Sequence, residues 1–430
     1  MRKISKILLI IIGFACLSIS CKKAKEIEYK KTWPLINEYI YNLMKDVYLY
    51  NDKVPTKTDM SIYETPSDAL NALTYKTQDN WSFVENTKTM EDFYQNNMAV
   101  AYGFNIAWSS YGHDSSLIIN YVANNSPAQK AGISRGCKIW AINKSNVIGI
   151  KNFYDFNPSS AGETIELGVT LLDGTKKSIT LSATPITIET VPLYKIITGT
   201  NGNKYGYILI NSFVNETPTK INEAFSLFSS MGATELIVDL RYNGGGLVDG
   251  AKYLANMSAP VSCNGKTMFS FIYNSNNTKY DQTVNFSKTN AQSFNHLFVL
   301  TTDNTASASE LFLNIFKAYN NMKLVQIGQT SYGKPVGMNT FTYGDYAIVP
   351  ITFATVNANR EGYFYEGIKP DITVAEDFSK PLGDASEPFI AAALNYPGSA
   401  VTAVALKNDV IPHRDLSLRG KGFRSIINLY

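Results

Sequence analysis

Histidine and cysteine are both scarce in this chain. Only His113, His296 and His413 occur in 430 residues, at no spacing that suits a zinc site, and no Cys-x-x-Cys is present. A structural zinc site and a dithiol redox centre are therefore not expected, and nothing calls for a metal or other cofactor. Charged residues make up 17% of the chain and net to +3, too little to argue for nucleic acid as a partner. The phosphate-loop pattern Gly-x-x-x-x-Gly-Lys-Ser/Thr is missing as well. Of the four cysteines, Cys16 and Cys21 lie at the N-terminus, whereas Cys137 and Cys263 stand far apart in the body. The latter two are read as buried free thiols, with a disulfide between them as the alternative.

What remains is a globular composition, 45% hydrophobic, long enough for two to four domains. Residues 1–21 carry a basic start (Arg2, Lys3, Lys6) and an apolar core, Ile7 to Leu17. That core is too short for a comfortable membrane span and fits an export signal. Its end, Leu17-Ser18-Ile19-Ser20-Cys21, resembles a bacterial lipobox, with Ser18 where the leucine usually stands, and the resemblance implies lipidation of Cys21 and a membrane anchor; an ordinary cleaved signal and an uncleaved anchor are the alternatives. Lys22 to Lys31 is charged and reads as a tether.

Residues 22–97 read as a small helical domain. Trp33, Ile36, Tyr39, Ile40, Leu43, Met44 and Val47 fall at three- and four-residue steps on one stripe. Thr65-Pro66 supplies a cap and a first-turn proline for a second helix. Residues 98–188 change to short strands and turns, among them a hairpin across Asp173-Gly174. The run SPAQKAGISRGCKIWAIN within them resembles the core signature of PDZ domains, with Cys137 in place of the usual aspartate. That resemblance implies that Tyr102-Gly103-Phe104 is a carboxylate-binding loop beside a sheet edge that accepts a peptide strand. Taken as residues alone, Gly103 also fits a strand bulge.

From Lys204 a strand (Tyr205 to Ile210), a helix (Thr217 to Met231) and a buried strand (Leu236 to Val238) predict a right-handed crossover and a parallel pair. The second strand runs into Asp239-Leu240-Arg241-Tyr242-Asn243-Gly244-Gly245-Gly246. Glycines there permit close backbone approach with exposed N–H groups, as an oxyanion hole requires, and they also suit a purely structural turn. Next, Leu297 to Leu300 reads as a buried strand, Thr301 to Thr305 as a turn, and Ser307-Ala308-Ser309-Glu310 as the start of an amphipathic helix. Ser307-x-x-Glu310 is a capping box by pattern. A further apolar run, Lys323 to Ile327, leads to a loop presenting Lys334. Phe341 to Val374 is strand-rich, a helical stretch follows Ser386, and residues 401–430 form a mildly basic tail read as a solvated face.

The PDZ-like run, YGYILINSF, LIVDLRYNGG, TASASELF, GQTSYGK and GIKPDI occur in the order that marks the carboxyl-terminal processing peptidases, or tail-specific proteases. The chain resembles that family from about residue 30 to 375. The resemblance implies a multidomain α+β protein with a helical N-terminal domain (22–97), a PDZ domain (98–188) and an α/β protease core of the ClpP/crotonase-like type (189–400). It implies Ser307 as nucleophile and Lys334 as general base. The oxyanion hole would be the N–H of Ala308 with one from Gly245-Gly246. Substrates would be unfolded or C-terminally exposed proteins, met at the envelope of a bacterium by a periplasm-facing or surface lipoprotein. One departure stands out: where the family commonly has a glutamine four residues after the lysine, this chain has Met338. A thioether donates nothing and accepts weakly, which keeps open a catalytically silent, peptide-binding scaffold. A Ser-His-Asp hydrolase using His113 or His296 has no supporting motif.

Overall fold

Strands that are apolar without alternation must be covered on both faces, and the centre of this molecule is such a sheet. The computed structural model describes residues 35–396, apart from 57, 112–113, 147–157, 201, 289 and 320–322. Cys21, the tether and the tail lie outside the described residues. Glu235–Asp239 and Leu297–Thr301 are buried at every position. They form the middle of a six-stranded sheet ordered Leu193–Thr198, Lys204–Leu209, Glu235–Asp239, Leu297–Thr301, Leu324–Gly328, Ile372–Thr373. Every neighbouring pair is parallel except the first. Alternate strand residues divide between two cores. Ile208, Val238 and Val299 pack under the helices Thr217–Ser230, Val248–Ser258 and Ala308–Lys317. Tyr207, Ile237 and Phe298 pack under Pro388–Leu394.

Parallel strands send all their carboxyl ends to one edge, and loops leaving that edge are where sites collect. Three adjacent strands end there, at Asp239, Thr301 and Gly328. The segments that follow them carry the glycine turn, Ser307 and Lys334 respectively. Residues separated by up to ninety positions are thus delivered to one place by topology.

The helical N-terminal region is not self-contained. On the helix spanning 35–47 the buried row is Ile36, Ile40 and Met44, continued by Tyr48. These share a core with Val336, Ile348, Ile351 and Ala354 of the C-terminal half. Thr65 caps Pro66–Leu73, its hydroxyl accepting from the Asp68 N–H. A strand that the periodicity does not reveal, Phe83–Asn86, pairs antiparallel with Tyr346–Val349. Burial across this joint is what covers the segment's apolar stripe.

Residues 98–188 hold an antiparallel sheet ordered Phe104–Tyr111, Asp114–Val122, Lys138–Ile142, Thr164–Thr170, Lys176–Ser182, with a core of its own. Cys137 is buried in that core and Cys263 in the main one, both as free thiols. The two units meet at a buried ionic cluster. Arg135 donates to Glu376 (2.9 Å) and to the Tyr242 hydroxyl (2.6 Å). Arg241, fully buried, contacts Asp239 (2.9 Å), Glu376 (3.1 Å) and Glu387 (3.0 Å), and its guanidinium lies over the Phe389 ring. Burial alone would raise the Glu376 carboxyl, but Arg135 and Arg241 outweigh it and hold it below the usual range. Removing one member of a buried ion cluster leaves the rest uncompensated, at a cost of about 3–5 kcal/mol. Arg241→Met is therefore expected to lower the free energy of unfolding by about that amount, read from the denaturant midpoint.

Candidate active site

Ser307 sits at the N-cap of Ala308–Lys317 with φ 56° and ψ −115°. Non-glycine residues rarely hold positive φ, and such strain persists only where surrounding structure enforces it. Here the enforcement is visible. Asn243 of the glycine turn accepts, at its carbonyl oxygen, the Ala306 N–H (3.1 Å) and the Ser309 hydroxyl (3.0 Å). Thr305 donates its hydroxyl to the Leu240 carbonyl (2.8 Å). The serine turn is thus laced to the glycine turn on both sides of Ser307.

The capping box is present but its halves are unequal. The Glu310 carboxylate accepts the Ser307 N–H at 2.9 Å, whereas the serine hydroxyl faces the helix N-terminus without a cap hydrogen bond of standard geometry. Ser307 is partly exposed, while Ser309 is fully buried and committed to Asn243. Of the two serines in the motif, only Ser307 can meet a ligand.

Gly245 lies directly against this turn at φ +112°; a Cβ there would stand 2.8 Å from the Ser307 Cβ and 3.1 Å from the Ala308 nitrogen. No side chain fits, so the backbone itself faces the serine. The N–H of Gly245 is already donated to Asn243 Oδ1 (2.8 Å). Among the described residues, no acceptor is found for the N–H groups of Ala308 and Gly246.

Lys334 is 4% exposed. Its backbone N–H donates to Glu310 Oε2 (2.8 Å), the same oxygen that accepts from Ser307. The two backbone nitrogens can be no further apart than those two hydrogen bonds laid end to end. Glu310 Oε1 accepts from the Gly333 N–H (2.6 Å) and the Ser331 hydroxyl (2.6 Å). Burial raises the Glu310 carboxyl above its ordinary value, opposed by those hydrogen bonds. At the other end of the lysine, Nζ donates to the Met338 sulfur at 3.2 Å. Burial pushes the Lys334 ammonium down to about 8, against the pull of Asp79 and Glu310.

Two contributors were not found by motif. Glu310 reads from sequence as a cap only, yet it joins the serine turn to the lysine loop. Asp79 has no catalytic pattern around it and reaches the site only through the N-terminal joint. Tyr102, Gly103 and Phe104 lie elsewhere, in the 98–188 unit. There Gly103 adopts φ +87°, a Cβ on it would lie 2.0 Å from that of Ser126, and Tyr102 and Phe104 are buried. The strand they lead into, Phe104–Tyr111, is an edge of its sheet. Among the described residues no group of three or more His, Cys, Asp or Glu is placed to hold a metal ion, and no helix is long and apolar enough to cross a membrane.

A partly exposed serine at a strained strand-to-helix turn, with bare glycine backbone against it, is the arrangement of the serine-type peptidases. Comparison with known proteins narrows the class. Residues 204–374 match the model of peptidase family S41, and residues 35–83 match the N-terminal domain of that family; the chain belongs to peptidase family S41. In sequence it is 28% identical over 260 residues to a probable CtpA-like serine protease of Staphylococcus aureus, covering 60% of this chain and 50% of that one. It is 27% identical over 286 residues to the carboxy-terminal processing protease CtpA of Bacillus subtilis, covering 64% of this chain and 57% of the other. The chain thus spans about half the length of these relatives. In fold it resembles the putative S41 protease of Bacteroides fragilis (TM-score 0.67, 24% identity, 83% of this chain and 96% of that one). It also resembles the photosystem II D1 C-terminal processing protease (TM-score 0.54, 17% identity, 84% and 97%).

A buried lysine costs stability as long as the unfolded chain holds its proton more tightly than the folded chain does and the pH lies below the unfolded value. With the folded value near 8 and the ordinary value 10.5, that cost is full below pH 8 and fades as pH climbs towards 10.5. Lys334→Met is expected to raise the free energy of unfolding at neutral pH by up to about 3 kcal/mol. Denaturant melts at stepped pH values test this; the gain should shrink above pH 8.

Proposed function

We propose that this protein is a serine endopeptidase that uses Ser307 and Lys334 as a catalytic pair to cleave proteins near their C-termini. The observation that carries this reading is the buried lysine, tied through Glu310 to the serine turn and lowered to about 8. A serine hydroxyl needs a base, and an amine serves only when burial leaves it neutral near working pH. Ser–Lys variants of the triad logic do this without histidine.

Neutral Lys334 takes the proton of the Ser307 hydroxyl as Oγ bonds to the scissile carbonyl carbon. The carbonyl oxygen, now an oxyanion, accepts hydrogen bonds from the N–H of Ala308 and one from the glycine turn. Gly246 has no acceptor for its N–H among the described residues, whereas Gly245 would first have to release Asn243 Oδ1. The tetrahedral species collapses, the C–N bond breaks, and the leaving amine receives the proton held by Lys334. A water molecule then adds to the acyl-enzyme with Lys334 again as base, releasing the new C-terminus and restoring Ser307.

We read residues 98–188 as a PDZ domain and the main sheet as a ClpP/crotonase-like core, both on resemblance. A substrate C-terminus would add as a strand to the Phe104–Tyr111 edge, with its carboxylate at Tyr102-Gly103-Phe104. A lipid on Cys21 would hold the enzyme at the cell envelope. The likeness to CtpA-type relatives supports protein substrates, and the open edge strand supports capture in extended form. A silent scaffold is the competing reading, favoured by the weak thioether acceptor at Lys334.

The deciding experiment is digestion of an unfolded protein by the purified enzyme. Ser307→Ala and Lys334→Ala should each lose several orders of magnitude in rate. For the wild type, kcat/KM should climb about tenfold per pH unit below pH 8 and level off above it. Cleavage at full rate by Ser307→Ala overturns the nucleophile. An inert wild type that still binds C-terminal peptides establishes the scaffold. Independently, Gly103→Val should abolish binding of such peptides while sparing labelling of Ser307 by a serine-reactive probe.

A further inference from the structure

Lys334 presents a problem that its own domain does not solve. A buried ammonium needs a partner, and the hydrogen-bond acceptor at Nζ is a sulfur, among the weakest acceptors in proteins. The remaining support comes from the opposite side of the joint. Asp79, 2% exposed, belongs to the turn between the N-terminal helices and Phe83–Asn86. Four donors fix its carboxylate: the Tyr48 hydroxyl (2.7 Å), the N–H groups of Trp81 and Ser82 (2.9 Å each), and the Ser82 hydroxyl (2.6 Å). The same turn grips the lysine's surroundings. Trp81 Nε1 donates to the Tyr332 hydroxyl (3.1 Å), two residues before Lys334. The Ile351 N–H donates to Ser82 Oγ (3.0 Å). Trp81 also packs in one core with Val336 and Met338, which follow the lysine.

We propose that Asp79 is a positioning residue for Lys334, supplying from the N-terminal unit the counter-charge that Met338 lacks and holding the amine towards Ser307. This rests on the Ser–Lys reading above. Two carboxylates pull on the lysine's charge, Asp79 in this turn and Glu310 on the helix, and neither lies within ion-pair distance of Nζ among the described residues. Of the two, Asp79 exerts the larger pull on the ammonium. Glu310 is committed to the backbone of Ser307, Gly333 and Lys334. The phenols around the site, Tyr48, Tyr50 and Tyr365, are pushed further up by burial and stay neutral. Tyr332 completes the surroundings on the lysine's own loop.

The test is the rate of Ser307 labelling by a fluorophosphonate probe on the full chain, followed from neutral to alkaline pH. Wild type should show an acid limb that Lys334→Ala abolishes; no labelling, or the same limb in Lys334→Ala, overturns the Ser–Lys reading itself. Given that limb, Asp79→Asn removes the charge and makes the amine easier to deprotonate. The limb should move to lower pH by about one unit, the small end of the effect of a nearby opposite charge. A role confined to packing would lower the rate at every pH and leave the limb in place. Should Asp79→Asn fail to fold, Tyr48→Phe keeps the ring and strips one donor from the carboxylate. Its charge is then felt more strongly, and the limb should move upward. A limb that stays put in a folded Asp79→Asn, or in Tyr48→Phe, overturns the proposal.

Discussion

The geometry of the site depends on one buried carboxylate. Glu310 accepts from the backbone of Ser307, Gly333 and Lys334 and from the Ser331 hydroxyl, at 2.6 to 2.9 Å. A carboxylate has two oxygens with room for about four donors, and all four come from the segments that follow two adjacent strands of the sheet. Remove it and three backbone N–H groups are left in a dry interior without acceptors, a state proteins avoid. The helix cap and the lysine loop are therefore one structure rather than two features that happen to be near each other.

Around that carboxylate the protein tolerates three expensive arrangements: a serine at positive φ, a buried lysine, and Arg241 buried among three acidic residues. None is what packing alone would select. Each concerns a segment leaving the same edge of the sheet, which is where a parallel sheet concentrates function. The N-terminal helices pack on Tyr332, Val336 and Met338 around the lysine, so the low-dielectric surroundings that lower its proton affinity are built from both ends of the chain.

Much of this was legible in the sequence. The parallel core could be read from Leu236-Ile237-Val238 and Leu297 to Leu300, because a strand covered on both faces has no polar alternation to hide it. The Thr65-Pro66 cap, the Asp173-Gly174 hairpin and the helix from Ala308 follow from local backbone chemistry and occur within a residue or two of where they were expected. Less accessible were Phe83–Asn86, whose pairing partner lies more than 250 residues away, and the joint that makes the N-terminal helices part of the main core. Asp79 carries no pattern at all. Its importance comes from distance in space, and no local rule encodes that.

The residue types at the candidate site, Ser307 after a buried strand, Lys334 after the next, Gly245 and Gly246 before both, were determined by the sequence alone. Tertiary structure decided what surrounds them. It left Ser307 partly exposed and committed Ser309 to Asn243, and it committed the Gly245 N–H to the same asparagine. It set the lysine beside a sulfur and weakened its hold on the proton by burial. Residue identity is local information, whereas burial, charge state and the competition for hydrogen bonds are properties of neighbours, and the neighbours come from every part of the chain.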